Sequence, residues 1–163
     1  MATLDEIQDC FENIDIGEVA KMSIMDTKEE FLRLQKEQLW NGINSKGENI
    51  TPPYTEMTIE IKERKGQPSE RVTLNDTGDY YEGMYLDIVD NELVVMNHDA
   101  EGVVPSVEKS VSVDSTMPVS LQLLAKYGDD VLGLDEVSQQ QYVDNALIDA
   151  MRENFTEKLE NEL

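Results

Sequence analysis

At 163 residues the chain carries 35 Asp and Glu against 13 Lys and Arg, a formal net charge of −22, yet 39% of it is apolar. Enough apolar residues remain for one folded domain burying ~70% of its unfolded surface, which excludes a disordered acidic tail. The charge also excludes tight nucleic-acid binding, because the densest basic cluster, Lys62, Arg64 and Lys65, is interleaved with Glu60 and Glu63.

In chain order, the opening MATLDEIQDC has acids where a signal peptide needs a basic end and an apolar run, so a reducing cytoplasm is the expected compartment. Thr3 and Glu6 stand at capping-box spacing, and Ile7, Cys10, Phe11 and Ile14 share one helical face. Residues 1–26 read as an acidic helical extension. Cys10 is the single cysteine, so no intrachain disulfide can form. Thr27, with Glu30 three residues on, opens a second helix whose apolar side is Phe31, Leu32, Leu39 and Ile43. Gly42 suits a left-handed cap at its end. Trp40, the one tryptophan, reads as core, with an interface anchor as the alternative.

NSKGENITPPY is a loop by its Asn, Gly and paired Pro. In YTEMTIEIKERKG, Met57, Ile59 and Ile61 alternate as in a strand, whereas Met57, Ile61 and Lys65 fit a helix; the helix is favoured. Leu86–Val89 and Leu93–Met96, joined around Asp90-Asn91-Glu92, predict a β-hairpin. Residues 98–118 have no clear period beyond Val107, Val111 and Val113, and read as a long loop or a projecting strand pair. From Ser138, the residues Val143, Leu147, Ala150, Met151, Phe155 and Leu159 recur every three or four positions, a long amphipathic helix whose stripe reads as core. No apolar run approaches the ~20 residues of a membrane span. The expected fold class is α+β: a small antiparallel β-meander packed against N-terminal helices and a long C-terminal amphipathic helix, in a single domain over residues 1–163.

Asp76-Thr77-Gly78 is the tripeptide that carries the catalytic carboxylate of aspartic proteases. Those enzymes need two carboxylates sharing a proton, so one copy per chain would have to pair with itself. Asn75 precedes the motif where an apolar residue is needed, and Asp79 follows it, adding like charge. A turn is the better reading, with Asp76 or Thr77 capping the amides of a short helix through Asp79, Tyr80 and Tyr81. The acid-rich NDTGDYYEG and YGDDVLGLDE miss calcium-loop spacing, and NGINSKGEN lacks phosphate-loop glycines. The single histidine, His98, excludes a two-His metal site and has no nucleophile that sequence places beside it. The chain is therefore expected to be no enzyme and to use no cofactor and no metal.

The ordered segments LQKEQLWNGINSKGENITPPY, KERKGQ, VTLNDTGDYYEGMYLDI and YGDDVLGL resemble tailed-phage neck or tail-completion proteins, including the Mu-like virion morphogenesis group, in versions from phages of Bacteroidetes hosts. Leu74, Thr77 and Gly78 match that family's Leu-x-x-Thr-Gly segment. Tyr127-Gly128 and Leu132-Gly133-Leu134 match the segment before its final helix. The resemblance runs from about Phe31 to Leu163; residues 98–118 and the acidic helix before Thr27 depart from it. It implies a non-catalytic connector subunit made in the host bacterial cytoplasm and built into the virion at the head–tail junction. Such subunits form a closed ring, six- or twelve-fold, between portal and tail, with DNA passing through the lumen. Its subunit interface would draw on Trp40, Tyr54, Tyr80, Tyr81, Tyr85, Tyr127 and Phe155, large groups that serve equally well as core. From the charge alone, an acidic DNA mimic that binds a basic host partner is the alternative.

Overall fold

The computed structural model describes residues 11–98 and 118–162. The capping box at Thr3 and Glu6, the positions of Ile7 and Cys10, and nearly all of the 98–118 segment lie outside the described residues. The fold is α+β, with a two-stranded antiparallel sheet and a long C-terminal helix. The chain divides into two compact units. One joins the residues up to Phe31 with those from Gln140 onward, and the other is Leu32–Gln139.

In the first unit, α1 (Ile16–Asp26) starts where Asp15 caps it, accepting from the amides of Gly17 at 2.8 Å and Glu18 at 3.2 Å. Thr27 stands directly before the next helix, as its spacing to Glu30 suggests, and its carbonyl accepts from the Phe31 amide at 3.3 Å, but its side chain turns back on α1. Its hydroxyl donates to the Ser23 carbonyl at 2.7 Å, closing α1. That hydroxyl has one proton, so the 2.6 Å contact with Tyr142 is a bond donated by the phenol. Burial pushes the Tyr142 phenol up. The Tyr142 ring meets Phe31 edge-on, with centroids 5.3 Å apart.

The C-terminal run is helical throughout, as α6 (Glu136–Tyr142), a π-helical turn (Val143–Leu147) and α7 (Ile148–Glu162). α7 packs on α1, so the N-terminal extension is the partner of the final helix rather than an appendage. The expectation that the C-terminal stripe is core is corrected. Val143, Leu147, Met151, Phe155 and Leu159 are only half-buried. The π turn holds more residues than an α turn, so it rotates the stripe before Ile148 away from the stripe after it. What α7 buries is polar. The Asn154 side-chain amide donates to Ser23 Oγ at 3.0 Å and Asp26 Oδ2 at 2.9 Å.

In the second unit, α2 (Lys28–Trp40) begins within the first unit and enters the second at Leu32; here it buries Leu32, Leu34, Gln35, Gln38 and Leu39. It ends at Gly42 with φ 74°, as expected, and a Cβ there would press on Arg71. Trp40 is 40% exposed, so its reading as core fails: it falls on the solvent side of a helix whose opposite face is already filled. Two glutamines clamp the 129–135 segment to α2. Gln35 Nε2 donates to Val131 O at 3.2 Å and Gln38 Nε2 to Gly133 O at 3.1 Å, while Gln38 Oε1 accepts from Asp135 N at 2.8 Å.

The ambiguous segment is helix α3 (Glu56–Lys65). Its ends decide the matter. Thr55 caps the Thr58 amide, and Gly66, at φ 68°, closes the C-terminus while Gln67 N reaches Lys62 O at 2.9 Å. Glu56 in the first turn and Lys62, Arg64 and Lys65 in the last also match the helix dipole. The short α4 (Asp79–Glu82) leads into β1 (Met84–Val89), which pairs with β2 (Glu92–Asn97) in the register Leu86↔Val95. Asp90 and Asn91, both at positive φ, form the two-residue turn that suits the twist of a hairpin. The expected meander is this one hairpin among the described residues. α5 (Val119–Tyr127) follows.

Candidate functional site

The sequence motif around Asp76 lies on one wall of a cleft of about 520 Å³ in the second unit. α3 contributes Thr58, Ile61 and Lys62; the 74–79 turn contributes Leu74 and the Asp-Thr-Gly residues; α5 contributes Val119, Leu123 and Tyr127. Tyr54, Tyr80 and Asn97 complete the lining.

Leu74 sits in this wall at φ 52°, buried to 5% exposure. A left-handed conformation costs a leucine roughly 1–2 kcal/mol, so it persists only where the surroundings hold it. Here the flanking backbone is held on both sides. Thr73, fully buried, donates its amide to the Tyr54 hydroxyl at 2.9 Å, and its carbonyl accepts from the Tyr81 hydroxyl. The Lys62 ammonium donates to Asn75 O at 2.6 Å, and Gln67 Nε2 to Asp76 O at 2.6 Å. Burial, with Tyr54 and Tyr80 nearby, pushes the Tyr81 phenol well above its usual range.

The turn expected after the motif forms, with α4 starting at Asp79, but by different chemistry. Gly78, at φ 100°, occupies the cap position with no side-chain cap. The Asp76 carboxylate turns to Lys65 at 2.5 Å, an exposed pair contributing about 0–1 kcal/mol. Thr77 Oγ1 donates to Asp79 Oδ2 at 2.7 Å and meets the Asp79 amide only at 3.4 Å. Asp76 thus faces a cation, the reverse of the shared-proton arrangement a protease dyad requires. Among the described residues no group of three or more His, Cys, Asp or Glu could hold a metal ion.

The expected interface residues differ in exposure and in what they touch. Tyr80 is buried at 8% exposure and belongs to the core. Tyr54 and Tyr81 are half-buried and spent on Thr73. Tyr85 stacks on His98 at 4.5 Å, and the Lys126 ammonium lies 4.9 Å over the Tyr127 ring. Trp40 is open to solvent, its carbonyl accepting from Arg71 Nε at 2.8 Å. Phe155, in the first unit, lies 5.8 Å from Phe11 and borders an apolar groove of about 330 Å³ with Ile16, Val19, Ile148 and Met151.

Lys62 is the residue the sequence reading passed over. Its 4% exposure is unusual for lysine. The one signal available was its position directly after Ile61 on a helix whose apolar side it shares. Among the described residues no helix is long and apolar enough to cross a membrane. No known protein family, curated protein or solved structure matches the chain.

Proposed function

We propose that this chain is a structural subunit of a phage head–tail connector ring, joining portal to tail around the DNA channel through protein–protein contacts. One observation carries most of the support: the first unit leaves an apolar face open. Phe11 is 51% exposed, Ile16 55% and Met22 41%, and the groove beside Phe155 is lined by Ile16, Val19, Ile148 and Met151 together with Arg152. Exposed apolar side chains beside such a groove suit contact with another protein. The hairpin adds to it, since β1 and β2 pair only with each other among the described residues and a neighbour in a ring can cover their outer edges. The acidic surface suits a channel wall past which DNA slides without sticking. The ordered resemblance to neck proteins turns an assembly subunit into this particular assembly.

Negative-stain electron microscopy and light scattering of the purified chain test the reading, together with immunogold labelling of virions. Closed rings and label at the neck are expected. A strict monomer absent from particles would end it. The net charge of −22 favours the second reading, an acidic DNA mimic, which predicts a monomer retaining a basic host protein at low salt and releasing it at high salt.

A further inference from the structure

The cleft in the second unit carries a charge that no carboxylate among the described residues neutralises. Lys62 is 4% exposed, and an ammonium taken out of water needs either good hydrogen bonds and an anion or a lost proton. Of its three N–H groups, one goes to Asn75 O at 2.6 Å and a second to Gln67 Oε1 at 3.3 Å, both uncharged acceptors. The ammonium also lies 5.0 Å over the Tyr54 ring. The neighbouring carboxylate, Asp76, is engaged by Lys65. Among the described residues Lys62 has no ion pair.

Beside the polar 75–79 turn, the cleft has an apolar side and is partly open. Ile61 is 41% exposed and Val119 57%, and both line it, with Leu74 and Leu123 deeper in the wall. Large apolar cavities with a few convergent polar groups are the usual form of small-molecule sites, and this volume lies within their range. We propose that the cleft binds a small monocarboxylate with an apolar body: the carboxylate on the Lys62 ammonium, the body between Ile61, Leu123 and Val119. A single negative charge is specified because Asp76 and Asp79 line the same cleft, and a doubly charged phosphate would face them. The buried lysine would then have the anion its environment lacks, and the Lys62–Asn75 bond would couple ligand occupancy to the Leu74 turn.

The site is independent of ring assembly and is tested on the purified full chain. Phenylbutyrate, octanoate and indoleacetate are titrated by calorimetry and thermal shift beside phenylbutanol, the uncharged analogue. At least one acid is expected to bind and raise Tm, with phenylbutyrate about tenfold or more tighter than phenylbutanol, the size of one charge-assisted hydrogen bond. Lys62→Met should abolish the preference for acid over alcohol. Because that change also removes the Asn75 contact, Val119→Trp, at an exposed position on the wall, provides the second variant. It should keep the parent circular dichroism and lose binding of both compounds. No binding by any of the three acids, equal affinity for acid and alcohol, or unaltered binding in a folded Val119→Trp would overturn the proposal.

Discussion

The two units solve the same problem differently. The Leu32–Gln139 unit buries apolar side chains fully, with Leu39 at 0%, Val131 at 1% and Leu134 at 2% exposure. It then locks its irregular segments to helices with side-chain amides, those of Gln35 and Gln38 on 129–135 and that of Gln67, beside the Lys62 ammonium, on 75–76. The terminal unit has a helix pair that buries Val19 at 1% exposure beside the Ser23–Asn154 hydrogen bond, while Ile16, Met22 and Ile148 stay exposed. A core that closes on itself suits a unit that holds a cleft in shape. A helix pair with an open apolar side suits a unit finished by a neighbour.

The sharpest way to break this contrast is Leu39→Ala. Removing a side chain with no exposure should cost about 2–5 kcal/mol by urea denaturation, since the cavity cannot fill from solvent. Asn154→Ala should cost less, about 1–3 kcal/mol, because it leaves Ser23 Oγ and Asp26 without their shared donor; loss of α1–α7 hydrogen-exchange protection would locate the effect in the terminal unit.

A pH titration of the Tyr81 variant probes the second unit by another route, since Tyr142 in the terminal unit is raised as well. The Tyr81 phenol is raised in the folded state, so the unfolded chain ionises first, near pH ~10. Below that pH its contribution is fully present; as pH rises toward the folded value stability falls, because the unfolded state then binds fewer protons. Tyr81→Phe should flatten that alkaline decline in denaturation midpoints. The smallest expected effect is Ile148→Ser, at 37% exposure: within about 0.5 kcal/mol on stability, with a measurable drop in self-association by light scattering. A large loss of stability instead would show that the groove is core.

Most helices were legible because their ends are written in local chemistry. In the 54–65 segment periodicity fits both strand and helix, and the structure shows Thr55 and Gly66 capping a helix whose charges match its dipole. The hairpin was legible through Asp90-Asn91, although only as a turn, since the single pairing partner is a tertiary fact. The candidate site was much less so. Asp76-Thr77-Gly78 drew attention as a motif, yet its carboxylate is an exposed partner of Lys65, and the buried cation beside it, Lys62, has no distinctive spacing. Thr27 was legible as a helix start, since the next helix begins at Lys28, but not the turn of its hydroxyl back onto the preceding helix, where Tyr142, distant in sequence, takes part.

By itself the sequence determined the α+β class, the hairpin turn, the helix ends and the acidic surface, since each rests on interactions between residues a few positions apart. Tertiary structure decided that the chain forms two units, that the final stripe stays half-exposed, and that a lysine is buried beside a strained leucine. Those outcomes depend on contacts between segments far apart along the chain, where burial and hydrogen-bond satisfaction are settled by whichever neighbour arrives.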